Sequence, residues 1–384
     1  MGADGRGAGE GEGGRVTSGQ IEIQVLAVVV AVACAVPGTF LVLRRLALVS
    51  DAISHSILLG IVLGFFVTGN VNSPLLLVGA ALVGVLTVVL VGVLQRTGLV
   101  REDAAIGLVF PALFSIGVIL ISRYADGVHL DIDAVLLGEL AFAPFDRLVF
   151  WGWDWGPTSL VVMSVILALN VAAVVVFWKE VKLATFDPAL AVALGFTPAL
   201  VQYGLMSLVS LTAVGAFDAV GSILVVALMI APPATAYLLT DGLARLLVLA
   251  AALGAASALG GYWLAYVLDA SIAGAMATMA GVFFVAAWLL APERGLVAAA
   301  RRRSRQRLEF AQTMLAIHLA NHEGRPEAAV ESRVGHLDEH LRWDAEFAER
   351  IVRGATRRGL VVERAGLLEL TPRGRELAQE AVAS

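Results

Sequence analysis

Two side chains able to bind a metal ion, the Asp51 carboxylate and the His55 imidazole, stand four residues apart within residues 46–67, a run otherwise apolar enough to cross a bilayer. Ionisable groups at that depth are costly and tend to mark substrate or ion paths. On an α-helix, residues four apart share one face about one turn apart, so both groups can address one point. A carboxylate oxygen and an imidazole nitrogen suit Mn, Fe(II) or Zn, but two donors make an incomplete site. Such a site holds an ion briefly, as a transport path requires. The plainer reading has Asp51 capping or breaking a helix near the inner membrane face and His55 bonded to neighbouring backbone.

Common ATPase, hydrolase and metalloprotease motifs are missing, so catalysis is not the leading reading. There is no Gly-x-x-x-x-Gly-Lys-[Ser/Thr] phosphate loop, and the two lysines, Lys179 and Lys182, have no glycine or hydroxyl neighbours in that arrangement. Gly-x-Ser-x-Gly and His-Glu-x-x-His runs are missing too. The expectation is therefore a transport subunit without ATP hydrolysis of its own.

The elements that must carry Asp51 and His55 follow from hydropathy. The chain has 384 residues, of which 59% are hydrophobic, and a mean hydropathy of +0.84. The apolar residues come in long blocks, the pattern of a membrane protein. A transmembrane helix needs ~20 mainly apolar residues. Nine runs qualify: 21–43, 46–67, 74–94, 105–121, 158–177, 200–217, 219–239, 243–268 and 272–290. Basic residues collect in cytoplasmic loops. Arg44 and Arg45, Arg96 and Arg101, Lys179 and Lys182, Arg245, and Arg294 with Arg301 to Arg307 follow or border the odd-numbered spans. The N-terminus is then outside and the C-terminal segment cytoplasmic. Residues 1–19, Gly-rich and polar, read as a disordered tail. The single cysteine, Cys34, excludes an intrachain disulfide or a thiolate cluster. Trp151, Trp153 and Trp155 form an outer interface belt.

Between the fifth and sixth spans, Asp187 is an N-cap, Pro188 fits the first helical position and Gly195 ends the turn. A short amphipathic helix on the inner surface is implied, and its apolar face asks for a protein partner. Asp218, between spans six and seven near the outer face, is a weaker candidate for the metal path, and equally a short acidic turn. His129, Asp131 and Asp133 could attract cations in the outer loop.

Five separated runs, in order, carry a resemblance. They are Leu46-Ala-Leu-Val-Ser-Asp-Ala-Ile-Ser-His-Ser-Ile-Leu-Leu-Gly60, Glu102-Asp-Ala-Ala-Ile-Gly107, Leu136-Leu-Gly-Glu-Leu140, Phe186-Asp-Pro-Ala-Leu-Ala191 and Ala219-Val-Gly-Ser-Ile-Leu-Val-Val-Ala-Leu-Met-Ile-Ala-Pro-Pro-Ala-Thr-Ala-Tyr237. Residues 20–292 resemble the permeases of metal-transporting ABC transporters. That resemblance implies the membrane subunit of a manganese, zinc or iron importer, with the ion as cargo and no permanently bound cofactor. It further implies a cytoplasmic ABC ATPase, an extracytoplasmic metal-binding protein, and a second permease, either another copy or a sister subunit. It places Asp51 and His55 on the metal path, and Phe186, Asp187, Pro188 and Gly195 in the loop that docks on the ATPase. Two facing permeases would offer two carboxylates and two imidazoles.

Composition changes after Pro292. Residues 293–307 read as a basic connector and 308–384 as a soluble domain. Helical spacing over 308–319, 328–341 and 344–359 is followed by two brief strands around Ala365-Gly366 and a last helix opened by Thr371-Pro372. This order is similar to the winged helix of metal-dependent repressors. The expected fold is thus an all-α polytopic membrane domain of nine spans plus a small α+β winged-helix cytoplasmic domain. From Leu308 onward there are 10 Arg against 13 Asp plus Glu, which argues against a DNA-binding footprint. His318 and His322, four residues apart, with His336, Asp338 and His340 nearby in sequence, form a weak regulatory metal candidate; solvated polar faces explain them as well. Alternative functions are a membrane-anchored metal-responsive regulator and a permease for a metal chelate.

Overall fold

A computed structural model describes residues 17–70, 73–124, 140–150, 152–326, 330, 332–333 and 343–383. The chain divides into two compact units, residues 1–291 and 292–384. His129, Asp131, Asp133, Trp151, His336, Asp338 and His340 lie outside the described residues, as do most of residues 1–19 and of the helix expected at 328–341.

The first unit contains α1 (Ser18–Leu43), α2 (Ala47–Thr68), α3 (Pro74–Arg96), α4 (Glu102–Tyr124), α5 (Thr158–Val176), two short helices α6 (Trp178–Phe186) and α7 (Pro188–Ala193), then α8 (Pro198–Leu239), α9 (Leu243–Leu268) and α10 (Ile272–Leu290). Among the described residues eight helices are long and apolar enough to cross a membrane: α1 to α5 and α8 to α10. The expected sixth and seventh spans are one element of 42 residues. At ~1.5 Å per residue it extends ~63 Å, about twice the ~30 Å hydrocarbon core. Its break falls at Gly221, whose φ of 76° and ψ of 164° are open to glycine almost alone. The sequence reading sets the break at Asp218, the polar residue; Asp218 lies inside the helical run, three residues ahead of Gly221.

The first unit is also not purely helical. Strands β1 (Arg147–Phe150) and β2 (Trp153–Pro157) pair antiparallel ahead of α5. Gly152 at φ 76° makes the turn. Arg147 Nε donates to Asp154 Oδ2 at 2.6 Å across the strands, and Nη1 reaches the Glu22 carboxylate at 3.2 Å. Trp153 and Trp155, two of the tryptophans expected as an interface belt, sit in β2 and are exposed.

Close packing needs small residues where lipid supplies no hydrophobic drive between helices. A Cβ on Gly60 of α2 would run into the Gly79 carbonyl of α3. One helix-breaking residue is compensated from a neighbouring helix. Pro37 in α1 has no N–H to give to the Ala33 carbonyl four residues back. Asn170 of α5 takes its place: its Nδ2 donates to that oxygen at 3.1 Å and to Thr212 Oγ1 at 2.8 Å.

The second unit holds α11 (Leu296–His322), α12 (Ala345–Arg357), β3 (Val361–Arg364), β4 (Leu367–Leu370) and α13 (Pro372–Ala383). The basic run Arg301 to Arg307 lies within α11. The strands form a hairpin with Arg364 opposite Leu367. Ala365 and Gly366, at φ 50° and 80°, are the two left-handed positions that such a two-residue turn requires. Asp344 caps α12 through the Phe347 N–H. Thr371 accepts from Gly374 N at 3.1 Å and opens α13. Leu315, Ile351, Val361 and Leu368 are buried in the shared core.

Candidate metal path and coupling loop

The placement of Asp51 begins in the turn before it. At the end of α1 the N–H of Arg45 bonds the Val42 carbonyl and that of Leu46 bonds the Leu41 carbonyl. These are the paired bonds of a Schellman stop, with Arg45 left-handed at φ 62° where glycine is usual. The chain reverses there and α2 starts at Ala47. Helix α2 then packs on α3, α4 and α8. Ser50, Ala52, Ile53, Ser54, Ser56 and Ile57 are buried. Thr87 of α3 donates to Ser56 Oγ at 2.7 Å, which fixes the rotation of α2 about its axis.

That rotation leaves one stripe of α2 open. Leu48 is exposed, and Asp51, His55, Leu58 and Ile61 are half-buried, spaced by three and four along the helix. His55 Nε2 lies 3.4 Å from Asp51 Oδ1, with the side chains 35% and 45% exposed. The two expected ligands therefore meet. Phe110 and Phe114 of α4 wall the imidazole, with ring centroids 5.8 and 6.2 Å from it. Among the described residues no group of three or more His, Cys, Asp or Glu side chains gathers. Asp51 and His55 can therefore supply two donors to a metal ion.

The weaker candidates belong to other elements. Asp218 lies in α8, within Coulombic reach of Asp146 just ahead of β1. His318 and His322 belong to the second unit, their ring centroids 4.8 Å apart, and His322 Nδ1 is shielded from solvent without a hydrogen-bond partner.

In the α6–α7 segment, Asp187 Oδ1 accepts from Leu190 N at 2.9 Å, Pro188 is the first residue of α7, and Gly195 sits at φ 85°. Phe186, Leu190, Val192 and Leu194 are exposed apolar side chains around this short helix. Sequence reasoning missed the contact behind it. Arg44, the C-cap of α1, donates from Nε and Nη2 to Thr185 Oγ1 of α6, at 3.2 and 3.1 Å. Arg44 had registered only as one of the basic residues flanking the first span; its partner lies 141 residues away in sequence.

Eight apolar helices among the described residues make this a multi-pass membrane protein. The profile of the ABC 3 transport family matches residues 21–291, and the chain belongs to that family as the permease subunit of an ABC transporter. It is 52% identical over 359 residues to the zinc transport system membrane protein TroD of Treponema pallidum (strain Nichols), covering 94% of this chain and 98% of the relative. Over 270 residues it is 49% identical to the manganese transport system membrane protein MntD of Bacillus subtilis (strain 168), covering 70% and 91%. Among solved structures, PsaBC from Streptococcus pneumoniae in complex with Fab superposes with a TM-score of 0.61 at 27% identity, covering 72% of this chain and 94% of that one.

Proposed function

We propose that this permease carries a divalent transition metal, Mn, Zn or Fe, inward across the plasma membrane, driven by a separate cytoplasmic ABC ATPase. The observation that carries the reading is the Asp51–His55 pair on an open stripe of α2, a span whose neighbouring Ser50, Ala52, Ile53, Ser54 and Ser56 are buried. An ionised carboxylate there is costly alone, and a divalent cation offsets that cost. One carboxylate and one imidazole hold the ion too weakly to retain it. A second permease, another copy or a sister subunit, brings two more donors, and four ligands suffice for a transient site. Relatives named for zinc and for manganese agree with this donor set. The ion is cargo, released when the two sides of the site part.

The break at Gly221 divides α8 into two crossings, nine in all, with the N-terminus outside and the C-terminal unit in the cytoplasm. Phe186, Asp187, Pro188 and Gly195 then lie on the cytoplasmic side, where the apolar face of α7 docks on the ATPase. An extracytoplasmic metal-binding protein delivers the ion to the opposite face. The C-terminal unit is a winged helix. Asp218 and the His318–His322 pair are secondary metal candidates, the first on the path and the second regulatory.

Reconstitution of the permease with its ATPase and binding protein in liposomes tests this reading. ATP hydrolysis stimulated by metal-loaded binding protein, with accumulation of Mn, Zn or Fe in the lumen, is expected. Hydrolysis and accumulation indifferent to all three ions would refute it.

A further inference from the structure

The second unit contains a recess whose charge no role assigned above uses. It lies between α11 and α12, has a volume of about 500 Å³, and is lined, among the described residues, by Arg307, Arg350, Arg353 and Arg357 with one carboxylate, Asp344. The three arginines of α12 are spaced i, i+3 and i+7, which puts them on one stripe of the helix. Arg307 comes from the opposite wall. Phe347 forms the floor: it is 8% exposed, and the guanidinium carbons of Arg307 and Arg350 stand 4.9 and 5.8 Å from its ring centroid. These cation–π contacts hold two of the four charges in place.

Among the described residues the arginines are left largely without acidic partners. Asp344 Oδ1 already accepts from the Phe347 N–H at 2.7 Å as the cap of α12. Arg353 has an exposed pair with the Glu349 carboxylate at 3.6 Å and donates from Nε to the Glu349 carbonyl at 3.4 Å. Among the described residues no carboxylate forms an ion pair with Arg307, Arg350 or Arg357. Gathering like charges around one cavity costs Coulomb energy that a bound anion recovers.

We propose that this recess binds a phosphate-bearing anion. Guanidinium forks match phosphate oxygens two at a time, and four of them in a concave site suit a compact ligand of two or more negative charges. Duplex DNA is met by a helix that protrudes into a groove, whereas these side chains line a hollow. Two sources share the required chemistry: a soluble di- or triphosphate, and the headgroup of an anionic phospholipid.

The test uses the full chain and radiolabelled inorganic pyrophosphate in equilibrium dialysis. Protein in neutral detergent is compared with protein in nanodiscs of phosphatidylcholine alone or containing phosphatidylglycerol. Saturable binding in detergent is expected, weakened by about tenfold in each of Arg350→Gln and Arg357→Gln and unchanged in Arg364→Gln, an exposed residue outside the recess. Equal affinity in both nanodiscs identifies a soluble anion as the occupant. Loss of affinity only with phosphatidylglycerol, in wild type and not in the residual binding of the variants, identifies a headgroup; either result supports the proposal. Absence of saturable binding, or binding insensitive to both substitutions in variants with unchanged circular dichroism, overturns it. So does retention of a DNA duplex through the same arginines with no pyrophosphate bound.

Discussion

Replacing Thr185 by valine should lower the metal transported per ATP hydrolysed without destroying the permease. Valine keeps the shape of the side chain and removes the oxygen that accepts from Arg44 Nε and Nη2 at 3.2 and 3.1 Å. A hydrogen bond to a charged group contributes roughly 1.5–3 kcal/mol. Both bonds end on one oxygen and Arg44 is only half-buried, so water recovers part of the loss and about 1 kcal/mol remains. The Thr185 hydroxyl also donates to the Val181 carbonyl within α6, a local bond whose loss leaves the carbonyl its helical partner. Arg44 closes α1, and one residue further on the left-handed Arg45 sets the start of α2, the helix of Asp51 and His55. The contact is therefore a mechanical joint between the segment proposed to receive the ATPase and the helix proposed to hold the ion. About 1 kcal/mol at such a joint corresponds to roughly a fivefold shift in the populations it biases. The assay is the ratio of accumulated metal to phosphate released in proteoliposomes. A ratio reduced by about that factor, with hydrolysis retained, is expected. A wild-type ratio in a variant that folds and assembles normally would refute the reasoning, and Thr185→Ser should restore coupling.

Other substitutions probe the scaffold. Gly60→Ala places a Cβ against the Gly79 carbonyl; backbone cannot yield as a side chain can, so α2 and α3 must separate at a cost of about 3 kcal/mol, read as a lower melting temperature in detergent. Asn170→Leu removes the donor that satisfies the Ala33 carbonyl left free by Pro37. The expected loss is about 1–2 kcal/mol, measured by unfolding of the detergent-solubilised protein, and Asn170→Gln should recover little because its reach differs. In the second unit, Arg375 donates to Glu323 at 2.6 Å and holds that carboxyl below its ordinary value of 4.5. A depressed folded value means stability fully present above the unfolded value and lost as pH falls through the folded one. Hydrogen-exchange protection of α13, corrected for intrinsic rates, should therefore stay level from neutral pH to about 5 and decline below 4.5, with the decline flattened in Glu323→Gln.

Much of this was legible in the sequence because membrane helices announce themselves by uninterrupted apolar length. Asp51 and His55 stood out for the same reason, as two costly groups in such a run, and helical spacing alone predicts that they meet. The Asp187-Pro188 cap and the Ala365-Gly366 turn were readable because each rests on local backbone chemistry. Long-range features were not. The Arg44–Thr185 contact joins residues distant in sequence, and no pattern signals a partner for an arginine already explained by the charge rule. The hairpin of β1 and β2 hid in a loop with too few residues for strand periodicity. The break in α8 was expected near Asp218, the polar residue, whereas Gly221 makes it, because backbone freedom and not polarity decides where a helix can turn aside. Net charge concealed the arginine recess: a sum of -5 over the whole chain says nothing about four guanidinium groups around one hollow.

ATP-driven uptake of Mn and Zn into proteoliposomes by the complete transporter, with Asp51→Ala and His55→Ala permeases, addresses the central assignment most directly. Each variant should assemble with its ATPase at wild-type yield and bring uptake of both ions to the ATP-free background. Undiminished uptake by an assembled Asp51→Ala, His55→Ala double variant would place the metal path elsewhere in the molecule.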